Sequence, residues 1–414
     1  MKLKPFKALY YNKEKVELSD VIAPNYDLLT DQIKKNLIKK NKYNCVQFLI
    51  PKKKAKKKDI KKTNELIKKS IEKKIIIEDE KQSFYFIKYT YTIHEQTKTL
   101  KGIIGRGEVT PFSKQEIYPH EETKKTMIKN QLNWSEETQW NTSQIMMLYE
   151  DTKNTLNQWA EKKIEQKKSI HQFNLTETTK CEYWSLSDIK TINHIQKFFK
   201  RKKIVIANGH HRYNTALKLR KKYENKIPDT KYTMYLLVNN QDQGLKIKPF
   251  HRWIKALPMS VNTMDENLKK YFNKKEMNST NELIENLKMK KTTAFGYLSE
   301  DKIELLTLKK RQTKSMIEKI KTKINTEILN EMIFKKIFKW TNKEINESEF
   351  IKYTDQTDLL SKWCKTKKTK GFILQEIKVN IFKKWIKEKR VTPQKTTSFY
   401  PKLFSGILFY RIKK

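Results

Sequence analysis

Cysteine is nearly missing: Cys45, Cys181 and Cys364 are the only three in 414 residues, far apart and without metal-type spacing. An odd, scattered set predicts free thiols in a reducing compartment. A run of about 18 apolar residues is missing too, and Met1-Lys2-Leu3-Lys4-Pro5-Phe6 has no apolar stretch of signal-peptide type. The expectation is a cytoplasmic protein without a membrane span. Acids are outnumbered, 46 Asp+Glu against 90 Lys+Arg, for a formal net charge of +44. The cations are nearly all lysine, run from end to end, and accompany abundant Asn and Ile with only 8 Gly. A compositionally biased, AT-rich coding sequence gives that residue set, whereas a nucleic-acid footprint clusters on one element. The excess is expected to draw anionic substrates and to hold nucleic acid only nonspecifically. There is no internal repeat, no Walker-type Gly-x-x-x-x-Gly-Lys loop and no adenine-specific signal.

What is present reads as globular. The chain exceeds one typical core, and its 37% hydrophobic and 11% aromatic residues fall in periodic segments. The expected fold class is α/β (α+β) with mixed sheets, in three lobes: 1–115, 116–257 and 258–414. Strands are expected at 45–50, stopped by Pro51, at 145–149 and 232–240, and as antiparallel pairs at 83–91 with 100–106 and at 294–298 with 303–308. Residues 244–247 and 249–252 read as one more hairpin arm. Helices are expected at 30–40, 59–73, 153–168, 189–199 and 325–340, and the charge run 52–58 as a solvated loop or helix entry.

One stretch changes period in its middle. Ile204-Val205-Ile206-Ala207 is a β-branched run suited to a buried strand, broken by Asn208-Gly209; Tyr213, Ala216, Leu217 and Tyr223 then recur as one helix face. Gly209 allows a turn closed to other residues, and His210, His211 and Arg212 fall in the first helical turn, where open N–H groups attract anions. Arg212 adds a planar fork for phosphate oxygens. The stretch is either a phosphate cradle or a buried helix start whose histidines cap and pack. Upstream, Pro119-His120-Glu121-Glu122-Thr123 sets acids at the mouth of a helix, as caps or, for Glu121, as a general base for a hydroxyl. His251-Arg252 follows another strand and suggests a basic pocket fed by two strand ends. Lys395 and Lys402, in the loop Pro393 to Lys402, are further candidates for a far phosphate.

In order and spacing these stretches, with Lys4-Pro5-Phe6-Lys7-Ala8-Leu9, Ala23-Pro24-Asn25-Tyr26-Asp27, Leu148-Tyr149-Glu150-Asp151 and Leu237-Val238-Asn239, resemble the widespread bacterial and archaeal family of domain of unknown function 1015. Its Gly-His-His-Arg box is similar to that of free-serine kinases of the ParB/sulfiredoxin superfamily. The resemblance implies a ParB/sulfiredoxin-like phosphate-binding core at 116–257 and transfer of phosphate from pyrophosphate, or a nucleotide, to the hydroxyl of L-serine. It implies Glu121, His120 and Arg212 as catalytic residues; Gly209, His210, His211 and Arg212 would bind phosphate, with Lys395, Lys402, His251 and Arg252 behind them. Mg²⁺ is expected from the chemistry. Asn208 and Asn130 stand where the family carries Asp, which implies reduced activity; the alternative is a noncatalytic nucleotide- or polyanion-binding protein.

Overall fold

In this computed structural model the chain is described at residues 1–25, 28–50, 56–93, 95–312, 324–365, 369–377, 381–382, 384–385 and 388–413. Tyr26, Asp27 and most of the charge run 52–58 lie outside the described residues. Two compact units result: Met1–Lys246 with Phe399–Lys414, and Ile247–Ser398.

The first unit is built on a nine-stranded sheet. Its strands are β1 (Leu3–Lys4), β2 (Phe84–Ile93), β3 (Gln96–Glu108), β4 (Ile117–Tyr118), β5 (Ile145–Tyr149), β6 (His171–Thr176), β7 (Thr179–Leu186), β8 (Ile204–Asn208) and β9 (Tyr232–Asn239). They lie in the order β4-β8-β5-β9-β3-β2-β7-β6, with β1 on β3. The sheet is mixed: β8 runs parallel to β4 and antiparallel to β5, while β9 runs parallel to β5 and antiparallel to β3. The expected pair β2–β3 forms the antiparallel hairpin. Helices α1 (Asp31–Lys40), α2 (Lys57–Glu72), α3 (Lys125–Thr138), α4 (Thr155–Ile164), α5 (Ile189–Phe199) and α6 (His210–Tyr223) belong to the same unit.

This division differs from the three-lobe expectation. Strands from 1–115 and from 116–257 share one sheet and one core, with Phe84, Phe86 and Ile103 packed among Met147, Ile206 and Leu237. An all-apolar strand such as β5, buried at every residue, needs neighbours on both edges and cover on both faces, so the first two expected lobes close on each other. The tail from Phe399 also belongs to this unit, where Phe409 pairs with Leu9 and Ser405 with Ala23.

The second unit carries a six-stranded sheet of β10 (His251–Ile254), β11 (Phe272–Glu276), β12 (Ala294–Leu298), β13 (Ile303–Leu308), β14 (Ile351–Thr354) and β15 (Lys370–Leu374), in the order β11-β13-β12-β15-β10-β14. Helices α7 (Val261–Tyr271) and α8 (Thr280–Met289) belong to it. Phe295, Leu306, Phe334 and Phe372 are central to its core.

Three local expectations change. Residues 45–47 form a short 3-10 turn rather than a strand, because the Asn44 side chain accepts from Val46 N at 2.9 Å and caps it. The hairpin arm at 244–252 splits, since Lys246–Pro249 and His251–Ile254 join different sheets; Pro249 has no N–H to continue a ladder. The helix at 325–340 turns from α to π at Asn330–Ile337, with Phe338 N reaching the Ile333 carbonyl. All three cysteines are free and buried. Among the described residues no helix is long and apolar enough to cross a membrane.

Candidate functional site

The site begins where β8 ends. Ile206 pairs with Met147 but Asn208 with Met146, so Ala207 bulges out of the ladder and the chain is re-aimed at the strand end. Gly209 follows with φ +103°, in the left-handed region that L side chains avoid, and α6 starts at His210. The expected strand, turn and helix are therefore all present. No acid lies in the first turn of α6, and the positive dipole end there favours an anion.

Arg212 folds back over the turn. A methyl group added to Gly209 would lie 2.9 Å from Arg212 Nη2 and 3.1 Å from its Cζ, so this glycine is required by close approach as well as by φ. The guanidinium is held by two oxygens: Nη1 donates to the Gln144 carbonyl at 2.6 Å, and Nη2 to Asn208 Oδ1 at 3.0 Å.

The Pro-His-Glu box, some ninety residues earlier, reaches the same turn. His120 N donates to His210 Nε2 at 3.3 Å, and the two rings meet edge to face with centroids 4.6 Å apart. Lys124 N donates to His211 Nε2 at 3.0 Å, and Asn214 Nδ2 to Thr123 Oγ1 at 3.2 Å. Accepting a main-chain N–H at Nε2 fixes His210 and His211 as neutral rings with the proton on Nδ1. His120 Nδ1 lies 2.6 Å from the Ile206 carbonyl and so carries its own proton there, which leaves Nε2 facing Glu121 Oε1 at 3.8 Å. Burial lowers the pKa of His120, partly offset by the Glu121 charge. Burial, and after it the electrostatic effect of His120, His211 and Arg212, holds His210 well below the ordinary histidine range. At neutral pH the histidines are thus uncharged, Arg212 supplies the cation, and Glu121 the nearby carboxylate.

The remaining candidates are placed as follows. Lys402 is half-buried in the first unit. His251, Arg252 and Lys395 belong to the second. There His251 Nδ1 accepts from Leu374 N at 3.2 Å, and its pKa is pushed down to about 3 by burial and by the neighbouring Arg252. Arg252 is only 2% exposed, donates to the Phe250 carbonyl and lies 5.2 Å from the Tyr353 ring. Lys395 Nζ sits 4.8 Å from the Phe250 ring. Reading the sequence missed the Gln144 carbonyl and the Asn208 amide as holders of Arg212. A carbonyl has no sequence signal, and Asn208 drew notice only as a lost acid. Among the described residues no group of three His, Cys, Asp or Glu could hold a metal ion.

The comparison with curated proteins found no match. Among solved structures the chain is similar to a free serine kinase in complex with AMP, at 12% identity over 74% of this chain and 90% of that one, with a TM-score of 0.39. It is similar to a conserved hypothetical protein from Pyrococcus furiosus, at 14% identity, 71% and 89% coverage and a TM-score of 0.36. SbnI with a C-terminal truncation, from Staphylococcus aureus, gives 9% identity, 72% and 84% coverage and a TM-score of 0.36. The family model described as protein of unknown function (DUF1015) matches residues 3–329, most of the chain, with the Pro-His-Glu box and the Gly209 turn inside the match, and the chain belongs to that family.

Proposed function

We propose that this protein is a small-molecule kinase that transfers phosphate, from pyrophosphate or a nucleotide, to the hydroxyl of free L-serine. The observation that carries the reading is the union of a carboxylate with an anion-binding turn: Glu121 lies 3.8 Å from His120 Nε2, and the His120 main chain is bonded to His210 at the head of α6. Phosphoryl transfer asks for little else from a protein, since positioning and charge stabilisation supply most of the rate. In this reading Glu121 takes the serine hydroxyl proton as the oxygen bonds to phosphorus and the bond from phosphorus to the leaving oxygen breaks. The Gly209 turn, the first-turn N–H groups of His210 and His211, and Arg212 hold the transferred group. His120 joins the Pro-His-Glu box to the turn through its main-chain N–H, which donates to His210. Mg²⁺ would enter as the donor's counterion, held chiefly by phosphate oxygens, and would offset oxygen charge. Lys402, in the same unit, is a second-rank partner for a far phosphate. We assign His251 and Arg252, as contacts of a buried strand, to the core of the second unit.

A noncatalytic nucleotide- or polyanion-binding protein is the second reading, favoured by Arg212 having both terminal nitrogens already engaged and by the amide at 208. Purified protein incubated with L-serine, Mg²⁺ and, separately, pyrophosphate, ADP and ATP decides between them by ³¹P NMR. O-phosphoserine from at least one donor is expected. None from any of the three moves the assignment to the binding protein.

A further inference from the structure

Beside α6 runs a narrow hollow that the kinase reading leaves unused. It starts at Arg212 and follows one helix face past Ala216 to Leu219, a rise of about 10 Å at helical spacing, with a cavity volume of about 50 Å³. Among the described lining residues Arg212 is the only one that carries a formal charge. Gln131 and Asn141 line it too, and their amide oxygens are occupied: Gln131 Oε1 accepts from Thr215 Oγ1 at 3.2 Å, and Asn141 Oδ1 from Thr233 Oγ1 at 2.7 Å. What these amides have left for a ligand is their NH₂ ends, joined by the Ser135 and Thr142 hydroxyls. Among the described residues such a lining is rich in donors and holds no carboxylate, so it favours an oxyanion over an ammonium group. Its volume suits a group of phosphoryl size rather than a nucleoside.

We infer that this hollow is a second oxyanion subsite, in which Gln131 and Asn141 with Arg212 seat the phosphoryl group that stays behind while the Gly209 turn holds the one transferred. The assignment of the two groups rests on the kinase reading; the anion chemistry of the hollow does not. Arg212 joins the two seats, since its guanidinium covers Gly209 at one end and opens the hollow at the other.

Pyrophosphate titrated calorimetrically into the full chain, at physiological salt to screen the general positive charge, tests it with three variants. Gln131→Glu puts a carboxylate among the donors and should weaken binding about tenfold or more, the loss expected for one hydrogen bond to a charged group. Gln131→Arg adds a cation and should tighten binding several-fold, a gain that misfolding cannot mimic. Asn133→Glu, exposed on the same helix and equal in charge change to the first variant, should leave it unchanged. Equal affinity in all three, with circular dichroism like the parent, overturns the subsite. So does a loss in Asn133→Glu as large as that in Gln131→Glu. If affinities move as expected but no donor yields O-phosphoserine, the subsite stands and the kinase reading falls. If O-phosphoserine forms with an unchanged donor KM in both Gln131 variants, the kinase reading stands and the subsite falls.

Discussion

His-Arg occurs twice after a strand-like run, as His211-Arg212 and as His251-Arg252, and the two pairs do different work. The first follows a glycine at φ +103° and opens a helix, so its arginine turns back over the backbone at a helix N-terminus. The second lies inside β10, hydrogen-bonded to β14 on one edge and β15 on the other, with its arginine buried. What separates them is the backbone leading in. Gly209, ahead of His210, makes the left-handed turn that frees the following side chains from the sheet; Pro249-Phe250 has no such turn, and the chain stays in the ladder. The identity of a dipeptide is therefore weak evidence of a site, and the backbone that presents it is strong evidence.

The largest effect expected concerns the partner that only the first pair has. Glu121→Gln removes the base with little change of shape and should lower kcat about 10²- to 10⁴-fold while the donor Kd stays the same. Turnover unchanged at saturating serine would sink the assignment of Glu121. The two arginines should then part company. Arg212→Ala should cost on the order of 2–4 kcal/mol in kcat/KM and weaken donor binding with a modest change in Tm. Arg252→Ala should leave donor binding alone and lower unfolding free energy by about 3 kcal/mol, as large buried truncations do, read by urea titration. Donor affinity lost in Arg252→Ala with its fold intact would return that arginine to the list of phosphate ligands. Gly209→Ala strains the turn and pushes on Arg212, which should cost about 1–3 kcal/mol in stability and loosen anion binding together; a merely structural glycine would lose stability alone.

A dependence on pH is expected as well. Burial lowers the pKa of His120 and His210, and takes His171 to about 4 and His251 to about 3. In the unfolded chain each titrates near 6.5, so below that pH the unfolded state binds more protons and stability falls with acidification, by up to about 1.4 kcal/mol per pH unit for each histidine. The effect is absent above about 6.5 and levels off below each folded value. Asp242 works the other way: burial raises it to about 6, so it adds stability as pH drops from there toward the ordinary carboxylate range. The first unit holds three of these four histidines, and His171→Gln should flatten the measured slope between pH 6.5 and 4 by one histidine's share. An unaltered slope removes His171 from the account.

The sequence by itself determined what a few consecutive residues can settle. A helix was legible at 189–199 and is found at Ile189–Phe199, and the strand pair at 294–298 and 303–308 is found at those bounds, because side-chain period and β-branching act within one element. The turn at Asn208-Gly209 was legible for the same reason, since the need for positive φ belongs to a single residue. Only the tertiary structure decided which strands share a sheet, and with them that His120 rests on His210, that Gln144 and Asn208 hold Arg212, and that His251 and Arg252 are walled into a second core. Apart from the local bond between Asn208 and Arg212, those outcomes depend on pairing between segments 68 to 123 residues apart, which apolar runs of similar character leave open until the whole sheet closes and each polar group must find a partner.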